Sequence, residues 1–369
     1  MYVPIRQEQD LVEAVLGLSV AEDEQVLMLV AAEHQDALPS WIESLAAEGV
    51  SLFGAVFPGL IHGRDRHDSG AIVEVVPVKE KACVVDLGAS PDQWTLGEAA
   101  AGSEEGRATV CVFVDCLSPS ISDLLVQLFH HYGNAVNYIG AGAGNGELRE
   151  EATVFTSAGP VRNAAVITVL KSDSRVSVRH GWERSEGPFV ATRTEGNIIR
   201  EINWEPARSV YDRLFGEEVG PITQDNFFVA TKEHPFGIDK EGQEDVVRDP
   251  IKLADDGALV CLSDVPENSV MHVLTADQES LVKAAAAAVD DCTPLPGSAT
   301  MCFVSDCYSR ALTLGDEFQR ELDAVADGIG RICRDCVPQG VLALGEIASN
   351  GEQIPEFYNK TFVVGVFHD

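Results

Sequence analysis

Basic residues are scarce in this sequence. Its 369 residues include 26 Lys and Arg, only 8 of them lysine, against 59 Asp and Glu, for a formal net charge of −33. A field of that sign repels phosphate backbones and anionic headgroups, which argues against nucleic-acid and membrane-surface binding. Long apolar runs are missing as well. None approaches the roughly 20 residues of a membrane-spanning helix, and the longest candidate, Val282 to Val289, is Ala-rich and carries Lys283. The first ten residues, MYVPIRQEQD, hold no apolar signal-peptide core. Together these absences predict a soluble, cytoplasmic protein with no membrane insertion. The 9 cysteines are odd in number and several sit inside apolar runs. Without a secretory signal, reduced thiols acting as small hydrophobes are expected, not a disulfide framework.

What is present is globular: 45% hydrophobic and 23% charged, at a length that suits two or three domains. The acidic residues are spread along the chain. Dispersed Asp and Glu with few lysines is a pattern similar to that of cytosolic proteins from salt-accumulating halophiles, in which near-molar salt screens self-repulsion to within a few ångströms.

An internal repeat organises the chain. Three stretches, Gln25 to Val78, Thr109 to Leu170 and Ala299 to Phe367, each read as an apolar strand, an amphipathic helix, a strand ending at glycines and a return strand or hairpin. In the second, Ser118 reads as the N-cap and Pro119 as the first turn of a helix ending at Gly133. The second and third also share strand-end pairs, Asp115-Cys116 and Asp306-Cys307, and later turns, Asn145-Gly146 and Asn350-Gly351. Between them, VSVRHGW and PFVATRTEGNIIREI read as strands, and EPARSVYDRLFG as a short helix from Pro206 to Gly216. A domain boundary is placed near Asn203, giving domains 1–203 and 204–369. Strand–helix–strand crossovers demand parallel pairs and hairpins give antiparallel ones. The fold class is therefore α/β, with mixed parallel and antiparallel sheets covered by helices.

The chemistry is sparse. GAGAGNG, from Gly140, lacks a complete G-x-G-x-x-G and no helix pattern follows it, so it does not read as a dinucleotide cradle. It reads as a tight loop where backbone approaches something closely, with Gly142 and Gly144 as a pocket floor. Cys333-x-x-Cys336 has no second pair at zinc spacing, and neither a metal nor a cofactor is expected. Cys116 and Cys307 each end a buried strand before a helix. They are candidates for packing, for ligand contact, or for a nucleophile with His180 as the partner imidazole. Arg310 and Arg248 could each hold a carboxylate bidentately or pair with a nearby acid. Glu346 interrupts an apolar strand and needs a partner, either an ammonium group or an arginine. His180 to Trp182 presents an imidazole, a flexible joint and an indole together.

With those residues assembled, the sequence resembles the FIST domain family. The N-terminal likeness rests on GAGAGNG and on VSVRHGWERSEGPFVATRTEGNIIREINWEPARSVYDRLFG. The C-terminal likeness rests on HPFG, VVRDP, FVSDCYSR, QGVLALGEI and FYNKTFVV, and the ordered set covers about Glu24 to Phe367. The resemblance implies an intracellular sensory module of signal transduction that binds a small ligand, with amino acids the favoured class. It implies a stand-alone sensor acting on a separate output protein such as a kinase, and it supplies no catalytic residues. On this reading Arg310 and Arg248 would hold the ligand carboxylate, Glu346 its ammonium, and Trp182 its apolar part, with His180, Cys307, Gly142 and Gly144 around them. The alternative is a thiol-dependent hydrolase or transferase using Cys307 or Cys116.

Overall fold

The three repeats emerge as three copies of one strand–helix–strand unit, the first two joined edge to edge in an 11-stranded sheet and the third in a 6-stranded sheet. The computed structural model describes residues 1–97, 108–240, 244–350 and 353–369. In it, Glu24–Ala31 pairs in parallel with Leu52–Phe57, Ala108–Asp115 with Val136–Ala143, and Ala299–Cys307 with Pro338–Ala343. Helices cross over between them: Leu38–Ala47, Ile121–Tyr132, and Tyr308–Leu314 followed by Phe318–Ile332. A return strand then lies antiparallel on the far side of each first strand: Ala71–Asp86, Ala164–Leu170 and Phe362–His368.

Each repeat also gives a hairpin to another repeat. The first sends Gly59–His62 to Pro338–Ala343 of the third, the third sends Glu346–Ser349 to Val136–Ala143 of the second, and the second sends Val154–Thr156 to Leu52–Phe57 of the first. The exchange is cyclic, so no repeat completes its sheet alone.

One glycine per repeat fixes the register. Met28 pairs with Gly54, Val112 with Gly140, and Val304 with Gly340. A Cβ on any of the three would lie 1.8 Å from the carbonyl oxygen of that partner. Only glycine allows the two backbones to approach so closely. Gly140 and Gly142 of GAGAGNG therefore belong to a strand and not to a loop. The same register sets Asp115 level with Cys307, since these pair with Ala143 and Ala343. The strand-end Asp-Cys pairs are thus one residue out of step, and Asp306 faces the helices with Val304 while Cys307 faces inward.

The inner faces of the three repeats meet in one core, including Leu29, Phe57, Phe113, Ile139, Phe303 and Val341. Each such side chain contributes about 1.5–3 kcal/mol on burial. The outer faces are closed by helices: Trp41 and Ile42 over the first repeat, Leu124 and Leu128 over the second, Leu281 and Leu322 over the third.

A separate antiparallel sheet is inserted between the second and third repeats. It runs from Glu183–Glu195 to Val270–Thr275 and has its own core around Tyr211, Phe236 and Met271. Residues 203 and 204 lie inside it, between Ile198–Ile202 and Glu205–Pro206, which pair with each other. All three sheets take strands from both sides of that point.

Local departures from the sequence reading have local causes. The second repeat's helix starts at Ile121, because Ser118 caps a turn by accepting from the Ser120 N–H. The helix begun after Pro206 continues through Gly216 as Ala207–Val219. Cys333 and Cys336 are disulfide-bonded, in contrast to the expected thiols. Asn145 closes its turn by accepting from the N–H groups of Glu147 and Arg149, whereas Gly351 of the second Asn-Gly pair lies outside the described residues. Among the described residues no helix is long and apolar enough to cross a membrane.

Candidate functional site

The inserted sheet rests on the carboxyl ends of the first strands of the second and third repeats, the end of a parallel strand where ligand sites form in α/β folds. Its seam with the body opens into two clefts. The first, of about 390 Å³, lies where all three sheets meet. It is lined by the strand Asp173–Arg179, by Lys240, Glu244 and Asp245 beside the strands Phe236–Ile238 and Val246–Arg248 of the inserted sheet, and by Tyr358 and Thr361. A shallower groove of about 600 Å³ continues from it past Trp182, Arg184 and Lys283.

Arg179 spans this cleft. Its Nε donates to Asp291 at 2.7 Å, at the end of the helix Gln278–Asp291, and its Nη1 donates to Glu244 at 3.1 Å on the inserted sheet. All three side chains are about 40% exposed, so water can reach the bridge. The other Glu244 oxygen accepts the backbone N–H of His180 at 3.0 Å. Lys240 reaches Glu356 at 3.3 Å, and Arg184 holds Asp245 at 2.5 and 2.7 Å. Arg179 and Lys240 thus share the cleft with the carboxylates of Glu244, Asp245 and Asp291.

The His-Gly-Trp turn is built for this position. His180 is buried, and its Nδ1 accepts the Trp182 N–H at 2.8 Å. That bond places the ring proton on Nε2, which lies 3.4 Å from Glu244. Burial lowers the imidazole pKa, against the pull of Glu244, so the ring stays neutral. Gly181 has φ +74°, and a Cβ there would meet the Ser280 carbonyl at 2.6 Å. The indole of Trp182 is buried and donates to the Lys360 carbonyl at 3.2 Å.

Of the residues singled out in the sequence, His180 lines the first cleft and its groove, and Trp182 lines the groove. Arg310 is held elsewhere. It is fully buried and donates to Glu321 from Nε at 3.2 Å and from Nη2 at 2.7 Å, while Nη1 and Nη2 reach the carbonyls of His180 and Leu281. Asp306, also fully buried, sits 3.8 Å from the same guanidinium, and burial with the nearby Glu321 charge raises its pKa. Arg248 is buried and bonds the carbonyls of Asp264, Val247 and Phe357, with Glu356 at 4.0 Å. Arg248 ties the inserted sheet to the Phe357 carbonyl from inside, whereas Arg310 ties the His180 turn to the helices Gln278–Asp291 and Phe318–Ile332.

Glu346 is fully buried, and its Oε2 accepts the N–H and hydroxyl of Thr361 at 3.1 and 2.7 Å. Burial outweighs those bonds and pushes its carboxyl up to about 8. Burial, with the adjacent Glu346, pushes the Cys307 thiol well up, and burial does the same to Cys116. Gly142 packs under the Leu344 carbonyl and Gly144 against Leu344 and Cys116, so both are close-packing positions. Beside Cys307 lies a buried charge pair. Lys360 Nζ is 3.2 Å from Asp249 and receives further fixing from Ser309 at 2.7 Å and the Lys232 carbonyl at 2.9 Å.

Sequence reasoning missed Arg179, Glu244 and Asp291. Arg179 could have been found as the charged end of the strand that carries the HGW turn. Glu244 and Asp291 are distant in sequence, and nothing local marks them among 59 acidic residues. Among the described residues no group of three or more His, Cys, Asp or Glu is placed to hold a metal ion.

Comparison with curated proteins finds no match. Two family models do match, the FIST N domain over residues 25–205 and the FIST C domain over residues 207–349, and they meet inside the inserted sheet. The first spans two of the three repeats and the second carries most of the third, together covering nearly the whole chain. On that coverage the chain belongs to the FIST family, whose domains are associated with sensing in signal transduction.

Proposed function

We propose that this protein is a cytoplasmic sensor that binds a free amino acid or similar zwitterion in the Arg179 cleft and reports it to a separate output protein, such as a kinase. The observation that carries the reading is the bridge from Arg179 to Glu244 across an open polar cavity. A partly exposed ion pair is worth only about 0–1 kcal/mol, so a zwitterion can replace it at little cost. The ligand carboxylate takes the Arg179 fork, and its ammonium takes Glu244 and Asp291. The side chain extends along the groove toward Trp182. Because Arg179 belongs to the body and Glu244 to the inserted sheet, a ligand between them changes how the two sit together, and that displacement is the signal.

The thiol-enzyme alternative finds less support. Cys307 and Cys116 are buried, and their thiols are pushed up and not down, whereas a nucleophilic cysteine needs thiolate character. Iodoacetamide labelling at pH 8 separates the two readings: a sensor leaves both thiols unmodified until unfolding, and an enzyme labels one of them fast.

The ligand reading is tested by a thermal-shift screen of free amino acids against their N-acetyl and amide derivatives. A zwitterion at 100 times its Kd raises stability by about 2.7 kcal/mol, and blocking either end removes the shift. Equal shifts from blocked and free forms would overturn it.

A further inference from the structure

The second cleft, of about 420 Å³, lies beyond the end of Ala108–Asp115, between the start of the helix Ile121–Tyr132 and the inserted sheet. Ile121, Ile251, Leu262 and Phe357 give it an apolar wall. No lysine or arginine lines it. Of its two carboxylates, Glu195 is held by Arg200 at 2.8 and 2.9 Å. Asp264 has no ion-pair partner among the described residues. Its Oδ2 accepts the Ser122 hydroxyl at 2.6 Å, and Arg248 touches this residue only through the backbone carbonyl. Beside it, Ser263 is 6% exposed, lines the cleft, and its Oγ has no hydrogen-bond partner. A buried hydroxyl without a partner costs free energy unless something fills the space in front of it.

The third repeat shows what fits such a place. There an aspartate of the inserted sheet, Asp249, accepts a serine hydroxyl from the start of the following helix, Ser309, at 2.9 Å, and the pair holds a primary ammonium, Lys360 Nζ. In the second repeat Asp264 and Ser122 form the same carboxylate–serine pair. The residue that corresponds to Lys360 is Asn163, which likewise precedes the return strand with φ near +50° (+48° against +55°). Asparagine brings no ammonium, and Asn163 does not line the cleft; its backbone N–H donates to Asp115 instead. The partial positive charge of the helix N-terminus opposes a cation there, but Asp123 in the first turn and the whole Asp264 charge outweigh it.

We infer that the second cleft is a binding site for a small organic cation, a primary ammonium on a short apolar body. The ammonium bonds Asp264 and Ser263 in the place that Lys360 fills in the third repeat, and the body lies on Ile121, Ile251 and Phe357. The site is independent of the Arg179 cleft, so either proposal can fail without the other.

Isothermal titration with three isosteric probes tests it: phenethylammonium, phenethyl alcohol and 3-phenylpropionate. Phenethylammonium binds one per chain, at least tenfold more tightly than the other two. Asp264→Asn weakens it at least tenfold, Asp264→Glu keeps it within about threefold, and Arg179→Gln leaves it within twofold. Should Asp264→Asn fail to fold, Leu262→Trp narrows the cleft, keeps its charge and weakens the amine to the same degree. The inference is overturned if the alcohol binds as well as the amine, if the amine does not bind, or if Arg179→Gln and not the Asp264 or Leu262 variant removes it.

Discussion

The guanidinium of Arg179 meets the carboxylate of Glu244 at 3.1 Å across the seam between the three-repeat body and the inserted sheet. Lys360 to Asp249 and Arg248 to the Phe357 carbonyl also cross that seam and are buried, while Lys240 to Glu356 and Ser122 to Asp264 cross it nearer the surface. The Arg179–Glu244 bridge is therefore open to water within its cleft, and the buried ties hold the seam from inside.

The Arg310 guanidinium is held wholly by protein groups, Glu321 and the carbonyls of His180 and Leu281. Arg310→Met leaves Glu321 buried without its counter-charge and lowers stability by about 3–5 kcal/mol. Adding Glu321→Gln restores a substantial part of that loss. Urea denaturation of the two variants checks both statements, and a single variant within about 1 kcal/mol of wild type would contradict them.

Lys360 is the inner latch of the inserted sheet. Lys360→Met strands Asp249 in the interior, and the loss, again about 3–5 kcal/mol, falls mainly on that sheet. Hydrogen exchange then rises more in the strand Val270–Thr275 than in Ala299–Cys307. Lys360→Met with Asp249→Asn recovers most of the protection. Uniform loss across both strands would show that the pair does not act at the seam.

Glu346 gives the stability a pH dependence of definite sign. Its carboxyl rises from 4.5 to about 8 on folding, because burial outweighs the Thr361 bonds. The folded state therefore holds the proton more tightly. The resulting stability is complete below about pH 4.5 and is lost as pH climbs through 8. Buried Asp306 adds in the same direction. Thermal unfolding at pH 6 and pH 9 should show wild type losing on the order of a few kcal/mol more than Glu346→Gln. Equal losses would sink this assignment.

The register glycines cannot be replaced. In Gly340→Ala the new Cβ would lie 1.8 Å from the Val304 carbonyl, a backbone clash that costs more than about 4 kcal/mol. Gly216 has open space around it within the helix Ala207–Val219, so Gly216→Ala is neutral or adds up to about 1 kcal/mol. Denaturation midpoints of the two variants check the contrast.

Much of this architecture was legible in the chain because it repeats. Three strands followed by helices and glycine-ended strands carry their periodicity locally, and the Gly-rich strand ends mark where backbones touch. The hairpin exchange was not legible, since pairing Gly59–His62 with Pro338–Ala343 depends on contacts nearly 280 residues apart that leave no local pattern. Neither was the fate of the buried charges. Arg310 and Glu346 stood out because charge in an apolar setting is costly, but that cost is the same whether a ligand or Glu321 and Thr361 meet it. The place of His180 and Trp182 at a cleft follows from a local turn, whereas Glu244 reaches the cleft from the loop before the strand Val246–Arg248 of the inserted sheet.

The most direct test titrates the amino acid giving the largest thermal shift into wild type, Arg179→Gln and Glu244→Gln by calorimetry. All three should fold with stabilities within about 1 kcal/mol of one another. Binding should fall at least tenfold in both variants, with Arg310 intact in each. Undiminished binding in Arg179→Gln would contradict the central claim that this cleft is the sensor's ligand site.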